Sequence, residues 1–382
     1  MGSLNQRRTP VIDCTDLYHP HQDPGDNFDI IAAFALPEID LRAVILDITD
    51  DFRKPRDEQP EGRRDPFGPR EPGIVPMMQM NYLFDRDVPH AVSPFTLMRS
   101  PEDKMLDAPR FQQAGVELML RALRESEEAV TILVFCSCRT LAVALNREPE
   151  LFHKKVRRLL LNIGTTSGEM FDVDYGERKR LPVKPGSAGY REWNVELDPH
   201  AFVRVLRSGL PMALFPCACE GGPFAMHRHD SYYDLGGRGW IRRMHPRLRN
   251  YLAFVFERSN RMDFLRAMEM PAPEEALQRL DATKHHHVWE TAVWLETSGR
   301  KLVRRADGTH RIVAADEIAA GDGVLPNEQR PCRLNVHDDG RFDFELIDGE
   351  STVTIYDRGE DLQAHAAAMG EALTALYESF VP

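Results

Sequence analysis

The chain has 382 residues, of which 42% are hydrophobic and 28% charged, and its formal net charge is −12. It lacks a basic stripe interleaved with aromatic residues, so composition and charge argue against a nucleic-acid-binding surface. No window approaches the roughly eighteen uninterrupted apolar residues of a membrane span, and the first residues lack the apolar core of a secretory signal. We therefore expect a cytoplasmic protein without nucleic-acid or membrane partners.

Strand-like and helical segments alternate along most of the chain, which is typical of βαβ units and a mainly parallel sheet. The pattern predicts strands at 11–12, 42–46, 130–135, 156–163 and 212–215, and helices at 27–36, 114–126, 141–145 and 199–208. Long loops are predicted at 51–73 and 169–189, and residues 228–281 are predicted to be mostly helical. Short strands are predicted at 311–313, 333–336, 342–346 and 352–356, followed by a closing helix over 364–380.

These elements predict an α/β fold with a mainly parallel open sheet flanked by helices. We expect one domain over residues 1–382, with an α/β core at 10–300 and C-terminal strands and a helix at 301–382. Six cysteines are too sparse for a disulfide framework. Two C-x-C pairs, at 136–138 and 217–219, end apolar runs and are interpreted as core residues, because structural zinc sites usually use a C-x₂₋₄-C spacing.

Five aspartates crowd the loop after the first strand: Asp13, Asp16, Asp23, Asp26 and Asp29. Ligands of open α/β sheets bind outside the carboxyl ends of the strands, where this loop would lie. Crowded carboxylates repel each other unless a cation neutralises them, and oxygen clusters suit Ca²⁺ or Mg²⁺. The loop therefore predicts a metal or polyol site. The alternative is a helix cap with solvated neighbours, but capping accounts for Asp26 alone.

The acidic loop resembles the opening signature of the nucleoside hydrolase family, D-x-D-x-G-x-D-D. Asp13 matches its first aspartate, Asp16 or Asp23 the second, Gly25 the glycine and Asp29 the last, with several residues inserted. Members of this family are metal-dependent enzymes that cleave the N-glycosidic bond of ribonucleosides. The resemblance implies a nucleoside hydrolase-like, Rossmann-like fold.

Residues 136–142 (Cys-Ser-Cys-Arg-Thr-Leu-Ala) align with the family's G-P-L-T-N-L-A. A threonine carbonyl of that signature helps to hold the ion, and the alignment transfers this backbone role to Arg139.

Residues 192–201 match the family's E-F-N-x-x-x-D-P-x-A most specifically. The match implies that Glu192 and Asn194 hold the ribose hydroxyls. Two residues apart on an extended segment, their side chains would point the same way, and the pattern gives neither a structural role. Asp198 is expected to cap the helix that follows.

The family's late H-D-P-x-A motif has a divergent counterpart at 285–292 (His-His-His-Val-Trp-Glu-Thr-Ala). His287 and Glu290, three apart on one helical face, are the expected substitutes for its histidine and metal-binding aspartate. His285 and His286 are equally well explained as a solvent-exposed histidine run.

The resemblance implies a hydrolase of an N-riboside with a divalent cation, of which Ca²⁺ is favoured. Asp16 or Asp23 would be the general base, and His287, or His19 and His21 of the inserted loop, would protonate the leaving base. The predicted metal ligands are Asp13, Asp16, Asp23, Asp29, Arg139 and Glu290, and the predicted substrate contacts are Asp26, Glu192 and Asn194.

Two alternatives remain open at this point. The substrate could be another glycoside or a carbohydrate derivative, or the protein could bind a sugar or nucleoside without turnover. The expected partners are a small-molecule nucleoside or glycoside and further copies of the chain in a homo-oligomer. No G-x-G-x-x-G or G-x-x-x-x-G-K-[ST] loop supports a dehydrogenase or a kinase.

Overall fold

The computed structural model describes residues 8–21, 23–59, 68–166 and 192–382, and the backbone of two short strands between residues 166 and 192. Its strands are β1 (Thr9–Thr15), β2 (Tyr18–His19), β3 (Ile39–Leu46), β4 (Glu71–Pro72), β5 (His90–Val92), β6 (Val130–Val134), β7 (Val156–Leu161), β8 (Asp172–Asp174), β9 (Lys179–Leu181), β10 (Met212–Leu214), β11 (Tyr233–Asp234), β12 (His287–Val288), β13 (Lys301–Arg304), β14 (His310–Val313), β15 (Gly323–Val324), β16 (Glu328–Val336), β17 (Phe342–Leu346) and β18 (Val353–Asp357).

Its helices are α1 (Pro24–Ala35), α2 (Asp50–Arg53), α3 (Ile74–Leu83), α4 (Arg110–Glu125), α5 (Arg139–Arg147), α6 (Pro149–Lys155), α7 (Trp193–Leu197), α8 (Pro199–Leu206), α9 (Pro246–Phe256), α10 (Glu274–Ala282), α11 (Thr291–Ser298) and α12 (Leu362–Ser379). Short 3₁₀ turns lie at Arg56–Glu58, Gly239–Arg243, Arg266–Met268 and Ala315–Glu317.

A nine-stranded sheet forms the middle of the molecule, in the order β17-β16-β18-β10-β7-β6-β1-β3-β5. The seven strands from β18 to β5 pair in parallel, and β16 and β17 continue one edge in antiparallel pairing. The predicted α/β fold with a mainly parallel sheet is confirmed.

The strand order reverses direction between β1 and β6. From β1 the chain builds outward through β3 to β5, and it then returns to place β6 on the other side of β1. In open α/β sheets such a reversal opens a crevice at the carboxyl ends of the two strands. The fold therefore directs the loops after β1 and β6 toward one another.

Apolar side chains of the central strands alternate between two cores. Val11 of β1 belongs to the core that contains Ile30 of α1, whereas Ile12 belongs to the core on the other face, with Val116 of α4. All five residues of β6 are buried. A parallel strand that is covered on both faces requires a continuous apolar run, which is why these strands were visible in the sequence.

The C-terminal strands β16, β17 and β18 join the nine-stranded sheet, whereas β14 pairs with β13 in a separate three-stranded sheet. The predicted strands near 311–313, 333–336, 342–346 and 352–356 and the closing helix are observed as β14, β16, β17, β18 and α12. β18 pairs in parallel with β10, and its residue Ile355 is fully buried. Met369 and Leu373 of α12 belong to the core that contains α1.

Other segments differ from expectation. Residues 228–281 contain β11 and two 3₁₀ turns as well as α9 and α10, so they are less helical than predicted. The predicted loop at 51–73 holds α2, a 3₁₀ turn and β4, with residues 60–67 outside the described part. The predicted loop at 169–189 lies outside it except for the backbone of β8 and β9. No helix of the described ranges is long and apolar enough to cross a membrane.

The proposal of a single domain predicts that damage to β18 weakens the whole molecule. Ile355→Ala should lower the free energy of unfolding by about 2–5 kcal/mol, because it removes a fully buried side chain. Val324→Ala in the exposed β15 is the matched control and should change it by less than about 0.5 kcal/mol. Urea unfolding followed by circular dichroism measures both. Two separate transitions, of which only one moves in Ile355→Ala, would contradict a single domain.

Candidate functional site

Six carboxylates gather at the carboxyl end of β1, and we call them the acidic cluster: Asp13, Asp16, Asp23, Asp26, Asp29 and Glu290. Five come from β1, the loop after it and the start of α1, and Glu290 directly precedes α11. All are buried except Asp23, which is half-buried. Burial raises the pKa of each, and the charges of neighbours in the cluster add to this for all but Asp23. The structure therefore brings these sequence-predicted residues together, while their roles remain predictions.

Asp13 and Asp29 are the deepest members of the acidic cluster, and both are fully buried. No N–H or hydroxyl group of the described residues donates to either oxygen of Asp13, which lies close enough to Asp29 for the two carboxyls to share a hydrogen bond when one is protonated. Burial followed by the charge of Glu290 raises the pKa of Asp13 to about 8. Asp29 Oδ1 accepts a hydrogen bond from Trp294 Nε1 at 2.6 Å, whereas Oδ2 accepts none from the described residues. Buried oxygens left without donors are costly unless a ligand satisfies them.

Glu290 reaches the first turn of α1 because residue 25 has no side chain. A Cβ atom on Gly25 would lie 2.6 and 2.7 Å from the two oxygens of Glu290. Glu290 Oε2 also accepts a hydrogen bond from the backbone N–H of Trp289 at 2.9 Å. Burial, then the charge of Asp23, raises the pKa of Glu290 to about 8. The signature glycine thus makes room for a distant carboxylate.

Asp23 caps α1. Its Oδ1 accepts a hydrogen bond from the Gly25 N–H at 2.6 Å, and Pro24 occupies the first helical position, where proline is favoured. The expectation that Asp26 is the cap is wrong, because the helix begins at Pro24, three residues earlier than predicted, and Asp26 lies within its first turn. Asp26 is buried, and burial followed by the charges of Asp16 and Asp23 raises its pKa.

The chemistry of the acidic cluster fits a hard divalent cation. Such ions take carboxylate oxygens as ligands, and both oxygens of Asp13 and one of Asp29 are buried without donors. In the residues described, however, no three His, Cys, Asp or Glu side chains already stand in a metal-holding arrangement.

Arg139 carries a structural role that the sequence did not predict. Its guanidinium is fully buried and donates to Asp198 Oδ2 at 3.0 Å and to Asp47 Oδ1 at 3.5 Å. It also donates to the carbonyls of Ile48, Pro94 and Leu197 and to Thr49 Oγ1. Arg139 is the first residue of α5, where its own carbonyl is expected to accept a helical hydrogen bond. The predicted metal contact through that carbonyl competes with this bond and remains a prediction.

Asp47 lies behind the acidic cluster and was missed by the sequence analysis. It accepts a hydrogen bond from Ser137 Oγ at 2.7 Å, and its charge contributes to the raised pKa of Asp16. A signal was available, because Asp47 directly follows the apolar strand β3 in the same way that Asp16 follows β1.

Glu192 and Asn194 differ from expectation in geometry. The expected extended segment is wrong, because Glu192 is the N-cap of α7 and Asn194 lies in its first turn. The absence of a structural role is wrong too. Glu192 accepts hydrogen bonds from the N–H groups of Gly164, Asn194 and Val195, and Asn194 Nδ2 donates to the carbonyls of Phe135 and Asn162. Contact with sugar hydroxyls stays a prediction for both residues.

His287 belongs to a group of rings that we call the aromatic cluster: Phe224, Tyr232, His287 and Trp289. Their ring centroids lie 4.9 to 6.4 Å apart. Tyr232 Oη and His287 Nδ1 are hydrogen-bonded at 2.9 Å, and Trp289 Nε1 donates to the Cys217 carbonyl. The sequence analysis did not predict Phe224 and Tyr232 as part of this group, because they lie more than 50 residues before His287 and come near residues 287–289 only in the folded chain.

The prediction that His287 and Glu290 share a helical face is wrong. His287 lies in β12, and Glu290 is the N-cap of α11. The alternative prediction, that His285 and His286 are exposed to solvent, is correct for His285 and wrong for His286, which is fully buried.

The histidines of the inserted loop are poor proton donors at neutral pH. His21 is buried, and burial together with nearby arginine charges lowers its pKa to about 3. Burial also lowers the pKa of the half-buried His19. A histidine that stays neutral cannot supply a proton as an imidazolium, so the predicted acid is better sought in His287.

By sequence, the chain is similar to pyrimidine-specific ribonucleoside hydrolases of Escherichia coli, although no protein-family model matches it. The hydrolase RihA of Escherichia coli O1:K1 / APEC is 29% identical over 213 residues, which are 50% of this chain and 57% of the relative. RihA of Escherichia coli O139:H28 is 28% identical over 211 residues, with the same shares of the two chains. The chain thus spans little more than half the length of the curated relatives it matches.

Three solved structures are similar along nearly the whole chain. The inosine-uridine preferring nucleoside hydrolase of Bacillus anthracis is 13% identical, with 95% of this chain and 99% of that chain covered and a TM-score of 0.45. A purine-preferring ribonucleoside hydrolase of Gardnerella vaginalis is 12% identical, with 97% of this chain and 99% of that chain covered and a TM-score of 0.48. A plant nucleoside hydrolase is 14% identical, with 96% of this chain and 99% of that chain covered and a TM-score of 0.49. These TM-scores are too low to bear on activity. The sequence similarity confirms the predicted resemblance, and the low identity fits a divergent member.

Gly25→Ala should weaken cation binding without weakening the fold. The added Cβ would lie 2.6 Å from a Glu290 oxygen and 3.0 Å from Asp23 Oδ1, so it displaces the carboxylate of Glu290 and crowds that of Asp23, whereas alanine in a helix is favoured over glycine by up to about 1 kcal/mol. We expect a smaller rise of the melting temperature in CaCl₂ than for wild type, with an unchanged or higher value in EDTA. Gly370→Ala in α12 is the matched control, since nothing lies within 4 Å of its Cβ. A full calcium response in Gly25→Ala would show that Glu290 is not needed there.

The raised pKa values of Asp13 and Glu290, both about 8, predict that the cation-free protein loses stability between about pH 7 and pH 8. In this range the folded state holds protons that the unfolded state has released, so raising the pH favours unfolding. Each group should contribute roughly 1 kcal/mol across the interval. Urea unfolding in EDTA measures the slope.

Asp13→Asn is the comparison for this pH dependence. The substitution removes one of the two titrating groups. The free energy of unfolding should therefore fall less steeply with pH, by about half of the part of the slope that Asp13 and Glu290 together produce. Free energies of unfolding that are flat, or that rise with pH, in the wild type would refute the proposed burial of these carboxyls.

Proposed function

We propose that this chain, a divergent relative of the ribonucleoside hydrolases, cleaves the N-glycosidic bond of a ribonucleoside or related N-riboside with the help of a divalent cation. One observation bears most of the weight: six carboxylates are held close together in the acidic cluster, and no arginine or lysine forms an ion pair with any of them in the described residues. Structural carboxylates are usually paired or solvated. A cluster that is mostly buried and has no ion pair among the described residues is better explained by a ligand that brings positive charge.

The cation is proposed to be Ca²⁺, held by Asp13, Asp16 or Asp23, Asp29 and Glu290, with a further contact from the Arg139 carbonyl. A bound divalent cation supplies a water molecule of lowered pKa and an anchor for sugar hydroxyls. The buried oxygens of Asp13 and Asp29 without donors support the assignment.

Asp16 or Asp23 is proposed as the general base that takes a proton from the attacking water. Burial raises the pKa of Asp23 to about 6, close to the value that suits a base at neutral pH. Asp23 also accepts the Gly25 N–H, which holds its carboxylate in place. Cleavage passes through an oxocarbenium-like state, and the negative charge of the acidic cluster would stabilise the positive charge that develops on the sugar.

His287 is proposed to protonate the departing base. Its Nδ1 is engaged by Tyr232 Oη at 2.9 Å, which orients the ring, and we therefore assign the transferred proton to Nε2. The neighbouring rings of Phe224 and Trp289 offer aromatic surface on which a planar leaving group can stack.

Asp26, Glu192 and Asn194 are the proposed contacts to the sugar. Glu192 caps α7 with the same carboxylate, so its role in binding would be added to a role in folding. The homo-oligomer and the cytoplasmic location also remain proposals. A non-catalytic sugar- or nucleoside-binding protein is the second candidate, favoured by the lack of a preformed three-ligand metal arrangement in the described residues.

Wild-type protein with CaCl₂ should release free ribose from uridine or inosine. Asp13→Asn should lower the rate by at least roughly 100-fold, because it removes a charge from the centre of the acidic cluster. The control is Asp57→Asn, an exposed carboxylate outside the cluster, which should keep the full rate. A reducing-sugar assay over a panel of nucleosides, with EDTA as a further condition, measures the release.

Background release from wild type, Asp13→Asn and Asp57→Asn alike, over the whole panel, would rule out the hydrolase. Calorimetric titration with ribose then separates the remaining candidates. Ribose binding that depends on Asp13 without any turnover would select the binding protein.

A further inference from the structure

A guanidinium without a carboxylate partner lies beside the acidic cluster. Arg238 is half-buried, and its Nε donates to His286 Nδ1 at 2.9 Å. The ring of Phe256 lies under the guanidinium, 4.1 Å from its centre. These contacts fix the plane of the group. Its two terminal nitrogens form no hydrogen bond or ion pair with any residue that the structure describes.

Three other arginines that are withdrawn from water have a carboxylate opposite them, whereas the buried Arg70 donates to the carbonyls of Pro20 and His21. Arg139 faces Asp198, Arg358 faces Asp230, and Arg300 faces Glu38. Burial of a charge without a partner is unfavourable, and burial lowers the pKa of Arg238 to about 10, against the smaller opposing effect of Asp23. Within the described ranges, Arg238 thus has no carboxylate in ion-pair contact, and its two terminal nitrogens are available to a ligand.

The surroundings place Arg238 at the rim of the acidic cluster. Phe256, which stacks under the guanidinium, packs edge-on against the ring of His21 at 5.1 Å, two residues before Asp23. His286, which receives the Nε–H, packs against Phe28 of α1 at 4.6 Å and adjoins His287 of the aromatic cluster. Arg238 thus lies between the start of α1 and the strand that carries His287.

We propose that Arg238 binds a phosphate group on the 5′ carbon of the riboside, so that the substrate is a phosphorylated N-riboside. This proposal rests on the proposed function. With the 2′ and 3′ hydroxyls at the acidic cluster, the 5′ position is the remaining sugar hydroxyl that can carry the group. A planar guanidinium fork binds phosphate oxygens bidentately. A phosphate would also be repelled by the acidic cluster and by the net charge of −12, so a fixed cation at the rim is required.

Calorimetric titration of the full chain with ribose and with ribose 5-phosphate, in buffer containing MgCl₂, tests the proposal. Wild type should bind ribose 5-phosphate at least roughly tenfold more tightly than ribose, as expected for one charge-assisted contact. Arg238→Gln should abolish the difference and leave ribose affinity unchanged. Arg261→Gln, an exposed arginine paired with Asp263, is the matched control. Inorganic phosphate is the third ligand and shows whether the sugar is needed.

The outcomes separate this proposal from the proposed function. Equal affinity for ribose and ribose 5-phosphate overturns the phosphate site and leaves the sugar site standing. Binding of neither compound, in MgCl₂ or in CaCl₂, overturns both. A preference for ribose 5-phosphate that survives in Arg238→Gln overturns the assignment to Arg238. Should Arg238→Gln fail to fold, Arg238→Lys retains the charge without the fork and should reduce, but not abolish, the preference.

Discussion

The structure depends on how its buried carboxylates are neutralised. Arg139 sets its charge against Asp47 and Asp198 and also ties together the loops that follow β3, β5 and α7. Removal of one partner from such a buried pair typically costs about 3–5 kcal/mol, since the other charge is left buried alone. Among the residues that the structure describes, no arginine or lysine pairs with the acidic cluster as Arg139 pairs with Asp47 and Asp198. The buried positive charge of Arg139 therefore neutralises Asp47 and Asp198 and not the carboxylates of the acidic cluster, which we propose are neutralised by a ligand.

The location of the acidic cluster follows from the order of the strands. Because the strand order reverses between β1 and β6, the loop after β1 and the start of α5 after β6 border one crevice. Asp13 and Asp16 enter it from β1, and Ser137 and Arg139 enter it from the other side. The N-terminus of α1 also points there, and its partial positive charge partly offsets the repulsion among the first-turn carboxylates. A parallel sheet thus brings together groups that lie far apart in the chain.

Features that depend on a few consecutive residues could be predicted from the sequence, whereas contacts between distant segments could not. The buried run of β6 and the Asp198 cap of α8 were correctly predicted, because strand burial and helix capping depend on a few consecutive residues. The acidic loop was recognised for the same reason. The burial of His286 and the aromatic cluster were not predictable, since both depend on β11 pairing with β12 and packing near α1. The cap of α1 was misplaced because both Asp23 and Asp26 are favourable capping residues, and only the backbone decides between them.

The departure from the family's late motif illustrates how geometry can compensate for a change in sequence. In the predicted correspondence, Glu290 stands in place of the family's aspartate, and its side chain, one methylene longer, extends to within contact of the first turn of α1. There its charge raises the pKa of Asp13, as a carboxylate that shares one site with it must. The longer side chain is accommodated only because Gly25 presents no Cβ atom. The position of Glu290 in the acidic cluster therefore depends on the glycine at position 25.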